Sequence, residues 1–161
     1  MRATVGVDQQ SVPLQIGDQL VVLRLVDPAG QERFDSIAPA LFRGSHGAFL
    51  IYDVNEPLSF EALPKYMQFV QTSCGENVKT MLIGNKIDLQ RQVAFERAQN
   101  YAELNDMEHL EVSAKTLDNV DEMFERLARN ILDSLNESDV DRKSTRLNSS
   151  HLKLSRMPSS A

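Results

Sequence analysis

Cysteine is nearly missing from this 161-residue chain, and Cys74, the one example, excludes an internal disulfide. No apolar run approaches the ~20 residues that a membrane-spanning helix needs, so no transmembrane segment is expected. The amino terminus lacks a basic region followed by an apolar one, so no secretory signal is expected either, and the chain reads as cytoplasmic. Glycine is sparse as well. The seven glycines stand at 6, 17, 30, 44, 47, 75 and 84, and no two are five apart. The phosphate-cradling loop GxxxxGK[ST] therefore does not occur. Acidic residues stop at Asp141: up to that point 23 of them face 12 Lys and Arg, a net of −11, while the last 20 residues carry five cations and no acid. A surface so acidic argues against general nucleic-acid binding, which draws its affinity from Lys and Arg displacing phosphate counterions. No nucleic-acid partner is expected.

What is present is an ordinary globular composition, with 42% hydrophobic and 25% charged residues in a length that suits one domain with its own core. Two β-rich runs, 9–16 and 19–26, flank Gly17-Asp18, a pair suited to a tight hairpin. Beyond them the short apolar runs Ala48–Tyr52, Thr80–Gly84 and Leu110–Val112 alternate with helical stretches near 57–74, 92–105 and 117–135. That alternation predicts parallel strands joined by helical crossovers. In the last helix Val120, Phe124, Leu127, Ile131 and Leu135 are spaced to line one face, and Leu117-Asp118 offers a cap. From Asn136 onward the pattern dissolves into Ser, Asn, Asp and basic residues, which predicts a disordered tail over 136–161.

The most informative residues are Asn85-Lys86-Ile87-Asp88, directly after an apolar strand. Guanine presents a ring NH and an exocyclic amino group on one edge, and a carboxylate such as Asp88 can accept from both, whereas adenine offers an acceptor and a bare carbon there. The carboxyl end of a buried strand is also where open α/β sheets bind ligands. Two further segments follow strands in the same way, Val26-Asp27-Pro28-Ala29-Gly30-Gln31-Glu32 and Val112-Ser113-Ala114-Lys115. In this order and spacing the three segments resemble the Ras superfamily of small GTPases, and Thr4-Val5-Gly6-Val7-Asp8 with Gln31-Glu32-Arg33-Phe34 resembles its Rab family. The resemblance covers roughly residues 3–135, a partial small GTPase (G) domain spanning 1–135.

The resemblance implies an α/β fold: the Ras-like P-loop NTPase sheet with helices on both faces, here lacking the first strand, the P-loop and the first helix. It implies GTP/GDP and Mg2+ as ligands. Thr4, which lies 23 residues before Asp27, would ligate the ion through its hydroxyl, and Asp27 would hold it through water. The amide of Gly30 would contact the γ-phosphate, and Gln31 would orient the attacking water. At the base Asn85 would join neighbouring loops, Lys86 would lay its stem along the purine, and Ser113, Ala114 and Lys115 would complete the pocket. The Ala114 amide would donate to the guanine carbonyl. Implied partners are guanine nucleotide exchange factors, GTPase-activating proteins and effectors, met through Thr4–Asp8 and Asp27–Leu41. The implied role is a switch in vesicle and membrane traffic, peripheral on intracellular membranes.

The sequence departs from the family at its front, where Thr4 is already the fourth residue. The missing strand is the central one of the family's sheet, so its loss predicts two unpaired edges inside the fold and a poorly folded polypeptide. Three aromatic positions that many Rabs use for effectors are Gln9, Val26 and Leu41 here, and Pro28 replaces a usual threonine. The tail has no cysteine for prenylation, and Arg142–His151 resembles translated adapter sequence, a read-through segment. Two other readings compete with the switch: an interaction module that never binds nucleotide, and a non-functional truncated gene product.

Overall fold

The computed structural model describes residues 8–27, 39–142 and 149–157, with the backbone alone at 8, 9, 139–142 and 149–157. Thr4, Gly30 and Gln31 lie outside the described residues. The expected hairpin forms: β1 (Asp8–Ile16) pairs antiparallel with β2 (Gln19–Asp27), and Gly17 supplies the positive φ of 59° that the turn requires. Three parallel strands follow, β3 (Gly47–Asp53), β4 (Lys79–Asn85) and β5 (Glu108–Glu111). All seven residues of β3 are buried, as suits a strand covered on both faces.

The helices cover both faces. α1 (Pro57–Glu61), α2 (Leu63–Cys74) and α3 (Phe95–Leu104) enclose one apolar layer built around Leu50, Tyr52, Leu63, Val70 and Leu82. α4 (Val120–Arg142) closes the other over Val21, Leu23, Phe49, Ile83 and its own Leu127 and Ile131. The single helix expected over 57–74 is split at Ala62. Pro64 has no amide hydrogen to donate, and its ring would strike the carbonyl four residues earlier, so a new helix starts there. The cap expected from Asp118 is also displaced: α4 begins at Val120, and the Asp118 carboxylate instead accepts from Thr116 Oγ1 at 2.8 Å.

The tail corrects the expectation of disorder over 136–161. α4 continues to Arg142, and residues Ser149–Met157 form a sixth strand, β6. The sheet order is β1-β2-β6-β3-β4-β5, so β6 sits between the hairpin and the parallel strands. It pairs parallel with β2 from Leu20 to Val26 and with β3 from Gly47 to Leu50. The two edges expected to be unpaired are therefore paired over these stretches. Their backbone groups lie among buried side chains and need hydrogen-bonding partners, which any extended backbone can supply. Only Leu152, Leu154 and Met157 are apolar in β6, so no hydrophobic run marks it in the sequence.

Between β3, β5 and α3 lies a half-buried polar contact. Gln99 Oε1 can only accept, so His109 donates to it from Nδ1 at 3.1 Å, and His109 Nε2 accepts from the Tyr52 hydroxyl at 3.0 Å. Gln99 is held in this orientation because its amide nitrogen donates to Glu103. Burial pushes the Tyr52 hydroxyl far above its ordinary range and pulls His109 below its ordinary 6.5. The folded state thus prefers neutral His109. The unfolded chain binds more protons below about pH 6.5, so stability is full above that value and falls as pH drops towards the depressed folded pKa. Urea midpoints at pH 7 and pH 5 are expected to differ, and His109→Gln is expected to shrink the difference.

The same tyrosine explains Gly84 in β4. A Cβ at that position would meet Tyr52 Oη at 2.7 Å and Tyr52 Cζ at 2.9 Å. Gly84→Ala must displace a packed ring, and overpacking of this kind costs about 1–3 kcal/mol, read as a lower urea midpoint at unchanged slope.

Candidate functional site

Two loops meet at the carboxyl ends of β4 and β5. The first, Asn85–Asp88, leaves β4 through Lys86, whose φ of 68° is left-handed and rarely adopted by a side-chain-bearing residue. Asn85 Oδ1 stabilises that turn by accepting from the Lys86 amide at 2.8 Å. The same oxygen accepts from the Ala114 amide at 3.1 Å, so one side chain joins the two loops. Backbone bonds reinforce the junction: the Ile87 amide donates to Val112 O at 3.2 Å, and the Val112 amide to Gly84 O at 2.8 Å.

Asp88 and Ser113 face each other across the junction. Ser113 is fully buried, and its hydroxyl donates to Asp88 Oδ1 at 2.7 Å. Ser113 Oγ in turn accepts from the Thr116 amide at 3.1 Å, which fixes the direction of its own hydrogen. The hydroxyl holds the Asp88 carboxyl below its ordinary value, with smaller help from Lys115 and Lys86. Asp88 is exposed and ionised, an acceptor-only group at the mouth of the junction. Ser113→Ala is expected to raise the Asp88 pKa towards that of a free aspartate, visible as a shifted carboxyl titration by NMR. Unfolding stability should then respond less to acid, because a carboxyl with a depressed folded pKa contributes stability that is lost as pH falls through that value.

These contacts bring Asn85, Lys86, Asp88, Ser113 and Ala114 together, with Lys115 next in the chain and exposed. The ionised Asp88 carboxylate is an acceptor that suits the two donors of a guanine edge. The Ala114 amide, which the resemblance aims at the guanine carbonyl, is engaged by Asn85. Asp27 is half-buried at the end of β2 and lines, with Asn85 and Ala114, a cavity of about 350 Å³ floored by Phe49, Ile83 and Met123. Of the residues expected to hold magnesium, Asp27 alone lies within the described residues, among which no group of three His, Cys, Asp or Glu is placed to hold a metal. Asp27 by itself does not make a magnesium site.

Asp53 is the site residue that sequence reasoning missed. It ends β3, is 2% exposed, and places a carboxylate oxygen 2.9 Å from Lys86 Nζ. The one available signal was an acidic residue closing an otherwise apolar strand.

The profile described as the Ras family matches residues 1–133. The chain is 41% identical over 128 residues to Ras-related protein Rab-30 of Homo sapiens, covering 78% of this chain and 63% of the relative. It is 36% identical over 140 residues to Ras-related protein Rab-4B of Rattus norvegicus, covering 86% and 66%. It is 42% identical over 130 residues to the GTP-binding protein ypt2 of Schizosaccharomyces pombe, covering 80% and 65%. The matches thus span 63% to 66% of the length of these curated relatives. A profile match over most of the chain, on a mainly parallel sheet with helices on both faces, means that the chain belongs to the Ras family, with Rab proteins among its relatives.

Proposed function

We propose that this chain carries the base-reading half of a guanine-nucleotide switch acting in vesicle traffic. The observation that carries the reading is the Ser113–Asp88 hydrogen bond of 2.7 Å, which keeps an exposed carboxylate ionised and aimed from the joined loops. Asp88 accepts from the ring NH and the amino group of guanine, Lys86 covers the purine face, and Asn85 keeps the two loops in register. A site built to pair with polar groups rejects bases that lack them, because its own groups are then left unpaired. By resemblance, Thr4 and Asp27 would together hold Mg2+, which would supply charge neutralisation at the phosphates. By the same resemblance, Gly30 would contact the γ-phosphate and Gln31 would orient the water that hydrolyses GTP. Phosphoryl transfer depends mostly on positioning and charge stabilisation, so a neutral amide suits that task.

Exchange factors, activating proteins and effectors follow as partners, and a peripheral place on intracellular membranes as the location. No helix among the described residues is long and apolar enough to cross a membrane. The G domain is proposed over 1–135; beyond it the chain extends α4 to Arg142 and lends β6 to the sheet. The phosphate cradle GxxxxGK[ST] does not occur in the sequence, so affinity for the phosphates is expected to be weak. Isothermal titration of GDP and GTP, with magnesium, into this chain and into a version extended at its amino terminus by a Rab-type strand, cradle and helix tests the division. Tight binding by the extended form alone supports a partial domain with an intact base site. Equal tight binding by both would mean that the cradle is dispensable. Failure of both would overturn the reading.

A further inference from the structure

The base site has a support that no family profile or relative's name assigns. Asp53 lies at the inner end of a chain of contacts leading to Lys86. In the β3–β4 register Asp53 is paired with Asn85, so the residue after Asn85 emerges directly beside the Asp53 carboxylate. Lys86 Nζ reaches Asp53 Oδ2 at 2.9 Å; the aspartate side chain is 4% exposed and that of the lysine 48%. A carboxylate buried so fully is costly unless it is paired. Its partner's side chain, by contrast, is half-exposed, so a flat ligand can reach it.

The backbone around Asp53 is held in place. The Asp53 amide donates to Ser59 Oγ at 2.8 Å, and the same hydroxyl donates to Glu56 O at 2.7 Å. Ser59 is 1% exposed. The Val54 amide donates to Asn85 O at 2.9 Å, tying the end of β3 to the residue that precedes Lys86. On the other side, the left-handed φ of Lys86 is stabilised by Asn85 Oδ1. A half-exposed lysine has many rotamers, and confining one costs entropy that a surface ion pair barely repays. Here one end is anchored on a buried, immobile carboxylate and the other on a constrained backbone, so the methylene stem between them is fixed.

We infer that Asp53 is a positioning residue for the base site: it pins the Lys86 ammonium so that the stem lies ready along the purine face, before any base arrives. This rests on the proposed guanine site. Asp53 touches no ligand and acts through Lys86, so its removal should weaken purine binding while leaving the choice of base to Asp88.

The test uses the full chain and guanosine, which needs no phosphate cradle, with inosine as the comparison because it lacks the exocyclic amino group. Lysine NH3+ relaxation by NMR reads the pin directly. Lys86 is expected to be ordered in the wild type and to become as mobile as exposed Lys65 in Asp53→Asn, with Asp53→Ser standing in if the first variant does not fold. Guanosine affinity, from chemical-shift titration, is expected to fall roughly 3- to 10-fold in Asp53→Asn and in Lys86→Met. The double variant should be no worse than Lys86→Met alone, and the guanosine-to-inosine ratio should stay constant. Unchanged Lys86 mobility in Asp53→Asn would overturn the inference, as would additive losses in the double variant. If the wild type binds no guanosine, the guanine reading fails by itself, and the Lys86 relaxation still decides whether Asp53 pins the lysine.

Discussion

Ending the chain at residue 148, which removes β6, is expected to abolish cooperative unfolding. β6 is the shared neighbour of β2 and β3, pairing from Leu20 to Val26 on one side and from Gly47 to Leu50 on the other. Val21, Leu23, Ala48 and Leu50 on those edges are fully buried, so the backbone groups released by the deletion would face an apolar interior rather than water. Each buried group left without a partner costs about 1–3 kcal/mol. Several together match or exceed the roughly 5–15 kcal/mol that separates a folded domain from its unfolded chain. The expected result is a chain ending at residue 148 with no thermal transition and no native-like near-ultraviolet signal. Because the seat asks for an extended backbone, replacing 149–157 by an alternating Val/Thr segment of equal length should restore the transition. A truncated chain that melts cooperatively at the original midpoint would show that β2 and β3 close on each other without β6.

Asp88→Asn is expected to weaken guanosine binding about 100-fold and to raise the relative affinity for xanthosine. Guanine needs two acceptors from this side chain. An asparagine presents one acceptor and one donor, so its NH2 meets the guanine amino group and one charge-assisted bond is lost, a loss of about 100-fold. Xanthine carries a carbonyl in place of the amino group, and the NH2 of asparagine suits it. Asp88 is exposed, so the fold should keep its urea midpoint close to that of wild type. Titration with guanosine and xanthosine measures both affinities. If neither changes, Asp88 does not read the base.

Much of this was legible in the chain itself. The hairpin follows from Gly17-Asp18 between alternating runs, and the parallel strands and crossovers follow from apolar runs separated by amphipathic stretches. The break at Ala62 has its physical cause in Pro64, whose missing amide interrupts the helical spacing that runs across it. The candidate base residues share short motifs because each loop directly follows its strand, and neighbouring strands in one sheet bring their ends together. Thr4, Gly30 and Gln31 lie outside the described residues, so their places in the site rest on resemblance.

The sequence by itself determined what depends on neighbours in the chain: where turns fall, which faces are apolar, and which carboxylate follows which strand. The tertiary structure alone decided which distant groups meet. The Tyr52–His109 hydrogen bond spans 57 residues, and Ser113 reaches Asp88 across 25. Lys86 finds Asp53 because β3 and β4 lie in register, and β6 finds its place because two buried edges need hydrogen-bonding partners. Local periodicity carries no record of such demands, since an unsatisfied backbone edge exists only after the rest of the sheet has assembled.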